Sequence, residues 1–323
     1  MLLRLWPEDT HLNFMAVRHV ALIVSVAALI LSAAMLFGRG LNLGIDFAGG
    51  SVIEIERPAD AGADDVRSAL AALGLGDISV NSARGTGADA VDLIVIRFET
   101  QTPREGEDVE SAQQNANNRV RDALAEAFPG VVIRSSAAVG PKVSGELLRS
   151  GVTALAVALA LMMVYISLRF QWQYAMGAVA ALFHDVIITM GVFALTGFEF
   201  NLATIAALLT IVGYSMNDTV VVFDRVREEA RKYKKMELSK VVDLAINATM
   251  SRTLLTSSTT LLALVSIFVF GGPVLRGMSF ALIFGVIIGT YSSVFVASAV
   301  LLLLGIDRGD KPKREVEGFQ GVG

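Results

Sequence analysis

Six long stretches almost without charged side chains constrain this sequence most. Each is roughly 17–30 residues long. About 20 apolar residues in a helix cross the hydrocarbon core of a bilayer, which is about 30 Å thick. We therefore predict six transmembrane helices. The predicted spans are residues 20–38, 150–168, 172–196, 201–223, 253–275 and 277–306.

The composition agrees with a membrane protein and excludes several other classes. Hydrophobic residues make up 54% of the chain and charged residues 18%, whereas soluble domains contain about 25% charged residues. An ordinary soluble enzyme, a disordered chain and a fibrous protein are therefore excluded. The net charge of −4 gives no reason to expect a nucleic-acid partner. Because the chain has no cysteine, disulfides, thiolate metal sites and thiol nucleophiles are excluded as well.

The first span also has a second interpretation, a cleaved signal peptide with Ala33 and Ala34 near its end. The apolar core of a signal peptide is usually about 7–15 residues long. The span 20–38 contains 19 residues without a charge. Its length therefore favours a retained transmembrane helix.

Basic residues predict the orientation, because cytoplasmic loops carry an excess of Lys and Arg. Residues 225–240 contain seven Lys and Arg, whereas the two short loops on the opposite side share only Arg276. Both termini are therefore predicted to be cytoplasmic and residues 39–149 external. Further basic residues fall on the predicted cytoplasmic side, namely Arg4, Arg18, Arg169, Arg308, Lys311, Lys313 and Arg314.

The external segment reads as alternating strands and helices. Period-two patterns predict strands over 51–56, 78–80 and 91–98 and a last strand that begins at 131–133, while helical patterns cover 64–73 and 108–128. The order βαββαβ is that of a ferredoxin-like domain. We thus predict a multi-pass α-helical membrane protein with an α+β ferredoxin-like external domain. The predicted parts are residues 1–38, 39–149, 150–306 and a cytoplasmic tail over 307–323.

One carboxylate inside a predicted helix and one arginine at the cytoplasmic start of another form the main functional candidate. Ionisable residues are costly in a transmembrane helix, so each is a functional hypothesis by default. Burial favours the neutral form of Asp218 and a nearby Arg252 favours its charged form, so this aspartate could bind and release protons. Asn217, Thr256 and Ser257 could support a chain of water molecules. The alternative is that Asp218 pairs with a neighbour for packing only.

His184 and Asp185, near the middle of the third span, are weaker proton-path candidates. They could instead pair with each other or with a partner subunit. An intramembrane aspartyl protease needs two facing aspartates, but neither Asp185 nor Asp218 lies in a Gly-x-Gly-Asp turn. Because the chain has three histidines, few side chains are available as metal ligands. We predict neither a metal nor a cofactor.

Two further patterns concern packing and lipid. Gly285, Gly289 and Ser293 form a small-residue stripe of the kind that lets helices approach closely, within the bundle or against a partner. The basic stretch 225–240 is interpreted as a loop that leads into an interfacial helix. The apolar face of that helix would lie on anionic lipid, and its residues are Leu238, Val241, Val242, Leu244 and Ala245.

Several motifs resemble those of the SecD/SecF family of protein-export membrane proteins. The segment 44–50, Gly-Ile-Asp-Phe-Ala-Gly-Gly, is similar to the family motif that follows the first helix. The segment 212–219, Val-Gly-Tyr-Ser-Met-Asn-Asp-Thr, resembles the signature of the fourth helix, continued by Phe-Asp-Arg at 223–225. Segments 139–143 and 251–253 resemble the second-helix junction and the start of the fifth helix. The resemblance covers nearly the whole chain.

This resemblance implies a subunit of the resistance–nodulation–division superfamily in the bacterial cytoplasmic membrane. It implies SecD as a partner with a matching six-helix half. It also implies that the complex uses the proton gradient to draw unfolded preproteins through the SecYEG channel. The family's proton-path residues fall on Asp218 and Arg252, and no role is implied for His184 or Asp185. A proton site built from two halves cannot close within this chain alone.

The family motif at 44–50 is interpreted as structural, because its glycines permit tight backbone between membrane and domain. Its motif residues are Gly44, Asp46, Phe47, Gly49 and Gly50. Two other functions stay open at this point. One is a half-size proton-driven exporter of lipophilic small molecules, which would need a larger external domain with an apolar cleft. The other is a passive scaffold for the channel.

Overall fold

A computed structural model of the chain describes residues 10–76, 78–84, 91–103 and 106–307. Arg4 and the basic residues of the predicted tail lie outside the described residues. The fold consists of a membrane bundle and a small α+β domain, here residues 50–139, inserted after the first long helix.

The α+β domain has the predicted βαββαβ order. Its sheet is antiparallel, with the strand order β3-β4-β2-β5 of a ferredoxin-like fold. The third element, predicted as a strand over 78–80, extends to Arg84 because it pairs with β4 along its whole length. The elements are β2 (Gly50–Glu56), α3 (Ala63–Ala71), β3 (Ile78–Arg84), β4 (Asp92–Phe98), α4 (Val109–Ala127) and β5 (Ile133–Val139).

The two faces of this sheet have different surroundings. Alternate residues such as Ile53, Ile55, Ile94 and Ile96 are fully buried beneath α3 and α4, as period-two side-chain alternation requires. The opposite face, which includes Arg97, is turned toward the membrane bundle. One face of the sheet is therefore covered by α3 and α4, and the other face is directed toward the membrane bundle.

In the part of the chain that the structure describes, six helices are long and apolar enough to span a membrane, which confirms the predicted number. Within the described residues, α6, α7 and the last helix are the inner helices, with 56–61% of their apolar windows buried against 11–17% for α1, α5 and α8. The helices are α1 (Arg18–Gly38), α5 (Pro141–Arg169), α6 (Trp172–Thr196), α7 (Leu202–Lys232), α8 (Leu238–Phe270) and a last span. The last span comprises α9 (Gly272–Ser292), a π-helical segment (Ser293–Ala297) and α10 (Ser298–Leu304).

The predicted boundary of the fifth span is wrong. That span was placed at 253–275 after a separate interfacial helix, but α8 runs without a break from Leu238 to Phe270. No Gly or Pro interrupts this stretch, so a continuous helix is favoured. The helix ends at Gly271, next to Gly272 with a left-handed φ of 78°, and Leu275 belongs to α9.

The interpretation of residues 238–245 as lipid-bound is also wrong. Val241, Val242 and Ala245 are fully buried, and the last two pack in the main core with Met15. Asp243 accepts a hydrogen bond of 2.8 Å from the backbone N–H of Met15. The apolar face thus contacts the segment before α1 rather than lipid.

Candidate functional site

Asp218 lies on the inner face of α7 and is nearly inaccessible to solvent, with 3% of its surface exposed. Its Oδ2 atom has no hydrogen-bond partner among the described residues. Arg252, on the neighbouring helix α8, is close enough to interact electrostatically with this carboxyl. The structure thus brings the two principal sequence candidates together. A buried polar atom without a partner is unusual.

The supporting residues have different positions. Ser257 bonds at 2.8 Å to Thr290 on α9 and so connects α8 with α9. The hydroxyl of Thr256 donates to backbone carbonyls of its own helix, at 2.9 Å to that of Thr253. Asn217 is exposed, on a different face of α7 from Asp218. Of these three, Ser257 alone bridges two helices in the bundle.

Arg252 lies near the middle of the 33-residue helix α8 on an exposed face. Thr259, two turns further along, is exposed on the same helix. Charged and polar residues at this depth rarely face hydrocarbon and usually face protein or water. Arg252 therefore needs a polar environment, although the same exposed face also carries Leu255 and Leu262.

A second buried carboxylate joins three helices. Asp185 of α6 accepts hydrogen bonds at its Oδ2 from Ser215 of α7, at 2.6 Å, and from Ser292 of α9, at 2.7 Å. Its Oδ1 lies 2.9 Å from Nδ1 of His184. All four side chains are at most 2% exposed. We call these four residues the Asp185 cluster.

Sequence reasoning missed the two serines of this cluster. Ser215 lies inside the segment that resembles the family signature, and Ser292 lies beside the small-residue stripe, but neither position by itself indicates a partner.

The stripe has the predicted packing role. Added at Gly289, a Cβ atom would come within 3.1 Å of Ser215 Cβ, and at Gly285 it would overlap Ile211. The stripe thus lets α9 approach α7 within this chain.

The motif at 44–50 forms the root of the α+β domain. Residues 45–48 form a single helical turn, α2, and the strand before it, β1 (Asn42–Leu43), pairs in parallel with β6 (Glu199–Phe200) ahead of α7. Asp46 accepts a hydrogen bond of 3.0 Å from the backbone N–H of Leu202, the first residue of α7. Phe47 is buried against Phe200. These contacts connect the root of the domain with the beginning of the helix that carries Asp218.

The glycines of the motif are required by space and by backbone conformation. Gly50 has a φ of 105°, and a Cβ added there would lie 2.5 Å from the carbonyl oxygen of Phe98. Gly44 has an ordinary φ, but a Cβ added there would meet the carboxylate of Glu199. The local geometry agrees with a structural interpretation of the motif.

An ion pair adds a second connection between domain and bundle. Arg97, on the open face of β4, pairs with Glu199 in the loop between α6 and α7. Burial raises the pKa of Glu199 above its ordinary value, an effect that outweighs the opposing attraction of Arg97, while the nearby acids Asp46 and Glu54 raise it further. Keeping Glu199 charged in the folded protein therefore costs free energy.

This raised pKa predicts how stability depends on pH. A carboxyl whose pKa is higher in the folded state adds stability at low pH, and that stability is lost as the pH rises through the folded pKa. At neutral pH, Glu199→Gln, which imitates the protonated form, is therefore expected to melt at a higher temperature than the wild type. The difference should vanish as the pH falls toward about 4.3, the ordinary pKa of a glutamate.

Thermal unfolding of the full chain in detergent over this pH range measures the effect. Glu110→Gln, at an exposed position on α4, controls for the loss of a carboxylate in general. If the wild type were the more stable protein at neutral pH, the ion pair with Arg97 would outweigh burial and the expectation would be wrong.

Comparison with known proteins places the chain in a family. Residues 119–307 match the family model described as "Protein export membrane protein SecD/SecF, C-terminal", and residues 34–56 match the "SecD/SecF GG Motif". The chain is 47% identical to the protein translocase subunit SecF of Cereibacter sphaeroides, over 98% of this chain and 97% of that protein. The chain belongs to the SecD/SecF family. The matched segments contain Asp218, Arg252 and the motif at 44–50.

Longer members of the SecD/SecF family match as well. The chain is 39% identical to the protein translocase subunit SecDF of Brucella abortus, over 97% of this chain but only 40% of that protein. The crystal structure of SecDF from Thermus thermophilus superimposes with a TM-score of 0.79 at 31% identity, over 93% of this chain and 39% of that chain. This chain thus spans about two fifths of the SecDF proteins and nearly the whole of a SecF protein.

Proposed function

We propose that this chain is the SecF-type subunit of the Sec protein-export accessory complex and that it uses the proton-motive force to assist preprotein translocation through SecYEG. The observation that carries the proton coupling is the carboxyl of Asp218, which is buried in a membrane helix with one oxygen unpartnered and Arg252 in electrostatic range. Such a group can be neutral or charged as its surroundings change. In this proposal the chain is a translocase subunit and performs no bond chemistry of its own.

The proposed partner within the membrane is SecD. Its support is the exposed position of Arg252 on α8, together with the SecDF relatives, in which a chain like this one occupies two fifths of the length. A second six-helix half covers Arg252 and completes the proton site. Unfolded preprotein and the SecYEG channel are the further proposed partners.

The proposed location is the bacterial cytoplasmic membrane, with both termini in the cytoplasm and residues 39–149 outside. Basic residues support this orientation, because they concentrate at the end of the bundle that lies away from the α+β domain. Arg169 lies 3.7 Å from Asp224 at that end, and Arg225 pairs with Glu228 and Glu229. Lys and Arg next to membrane helices favour the cytoplasmic side.

An exporter of lipophilic molecules is less well supported. The similar proteins are named as protein translocase subunits, not as exporters of small molecules. The cleft of about 560 Å³ between the α+β domain and the bundle combines apolar surface with the charged side chains of Glu54, Arg97, Glu199 and Arg276.

A pair of substitutions at Arg252 tests the proposal. Arg252→Met keeps much of the apolar stem and loses the cation, so we expect export to fall to the level measured without a proton gradient. Arg252→Lys retains a cation and is expected to keep part of the stimulation. Late-stage preprotein translocation into inverted membrane vesicles, with and without a gradient, provides the measurement.

Arg227→Met is the matched control, because Arg227 lies nine positions beyond Asp218 on α7, over the ring of Phe170. It should respond to the gradient as the wild type does. Full stimulation in Arg252→Met vesicles would contradict a role for the charge of Arg252 and favour the passive scaffold.

A further inference from the structure

We propose that Asp185 is a positioning residue that fixes α7, and with it Asp218, against α6 and α9. This inference rests on the proposed function, since it assigns Asp218 the proton-carrying role. It concerns a residue for which the family resemblance implies no role. The hydrogen bonds of the Asp185 cluster carry it.

One carboxylate oxygen connects three helices in this cluster. Oδ2 of Asp185 on α6 accepts from Ser215 on α7 and from Ser292 on α9, at 2.6 and 2.7 Å. The cluster is at most 2% exposed, so water does not compete for these bonds. The three inner helices are therefore held at one point.

That point lies one helical turn from Asp218. Residues three apart on a helix are neighbours on the same face, and Ser215 precedes Asp218 by three positions on α7. A bond at Ser215 consequently sets both the rotation and the height of α7 at Asp218. Gly289 strengthens the constraint, because its missing side chain lets α9 pack directly on Ser215.

The α-helical winding of α9 ends at the Asp185 cluster. Ser292 is the last residue of α9, and the π-helical segment begins at Ser293. Isolated π-helical turns occur frequently at functional sites. The change in winding immediately follows the residue that bonds Asp185, so the irregular turn and the buried carboxylate form one feature.

The two buried aspartates differ in a way that separates their roles. Both carboxylate oxygens of Asp185 have partners, whereas Oδ2 of Asp218 has none among the described residues. A carboxylate with both oxygens hydrogen-bonded is suited to holding helices together. A carboxylate with an unpartnered oxygen is suited to exchanging a proton. The titratable groups near Asp185 are His184 on its own helix and Tyr291 of α9, whose ring stacks on His184 at 6.2 Å.

Two substitutions with the same number of side-chain heavy atoms separate hydrogen bonding from charge. Asp185→Asn lacks the negative charge, but its amide oxygen can accept from both serines and its amide nitrogen can donate to His184. Asp185→Leu lacks the charge and every hydrogen bond. A difference between the two variants reports the loss of the hydrogen bonds together with the larger methyl groups of leucine, and the serine variants below separate these two effects.

We expect the Asn variant, in the complex with SecD, to keep most of the gradient-dependent export and the Leu variant to lose it. The second readout is the titration of the Asp218 carboxyl, isolated in infrared difference spectra by subtracting the same variant with Asp218→Asn. Its midpoint in the Leu variant should be displaced from that in the Asn variant. A purely structural loss would lower export without changing this midpoint.

Serine variants test the proposal even if the Leu variant fails to assemble. Ser215→Ala combined with Ser292→Ala removes both donors to Oδ2 and should reproduce the displaced midpoint. Ser293→Ala is the matched control, because Ser293 is equally buried but donates to the carbonyl of Thr290 instead. It should titrate as the wild type does.

Equal Asp218 midpoints in the Asn and Leu variants overturn the inference, whatever their export activities. Loss of export in the Asn variant to the level of Leu overturns it too, because the charge of Asp185 would then be what matters. The infrared titration does not depend on export. If Asp218→Asn left gradient-driven export intact, the proposed function would fail while the midpoints still decided whether Asp185 positions Asp218.

Discussion

Asp218→Asn is expected to abolish the stimulation of preprotein export by a proton gradient, while expression and assembly with SecD remain close to wild type. Asparagine fills nearly the same volume in the buried site on α7 but cannot carry a proton. Export in the variant should therefore equal wild-type export measured without a gradient. Translocation of a late-stage intermediate into inverted vesicles, with and without a gradient, is the measurement.

The chain offers a matched control on the same helix. Asp224 lies six positions further along α7, is exposed, and interacts with Arg169 at 3.7 Å. Asp224→Asn removes the same charge outside the buried site and should leave the stimulation unchanged. If both variants retained the full effect of the gradient, Asp218 would not be the coupling residue.

Crosslinking the α+β domain to the bundle is expected to stop export. We predict that the domain moves relative to the membrane helices when it handles polypeptide. Arg97 and Glu199 meet across the boundary, so Arg97→Cys with Glu199→Cys places two thiols there, and the chain has no native cysteine. A cleavable bifunctional maleimide should then inactivate the complex, and cleavage of the reagent should restore activity.

A crosslink inside the domain provides the comparison. Ser79 is the cross-strand partner of Arg97 in the sheet, so Ser79→Cys with Arg97→Cys carries the same Arg97 change and the same reagent. This pair should remain active after crosslinking. Full export by the Arg97–Glu199 pair, with the crosslink confirmed on a gel, would show that domain motion is not needed.

Local patterns were sufficient to predict most of the architecture. Long uncharged stretches predict six spans because hydrocarbon excludes charge, and the period-two and helical patterns predict the order of the α+β domain. The same reasoning makes Asp218 and Arg252 candidates, since a charge is conspicuous within an apolar stretch or directly beside one. Each of these inferences needs only residues that are close together in the sequence.

Contacts between distant residues could not be predicted in this way. Ser215 and Ser292 are 30 and 107 positions from Asp185. A serine or threonine in an apolar helix usually donates a hydrogen bond to the backbone of its own helix, as Thr210 does here. The apolar face at 238–245 shows a related limit. Lipid and a protein core are both apolar, so an amphipathic pattern does not distinguish them, and in this chain the core contacts that face.

The continuity of α7 has a mechanical consequence. The helix comprises 31 residues and is therefore about 46 Å long at 1.5 Å per residue. One end is bonded to Asp46 at the root of the α+β domain, and the other carries Arg231 and Lys232. A rod of this kind transmits force along its axis, so a pull on the domain reaches the opposite surface of the membrane.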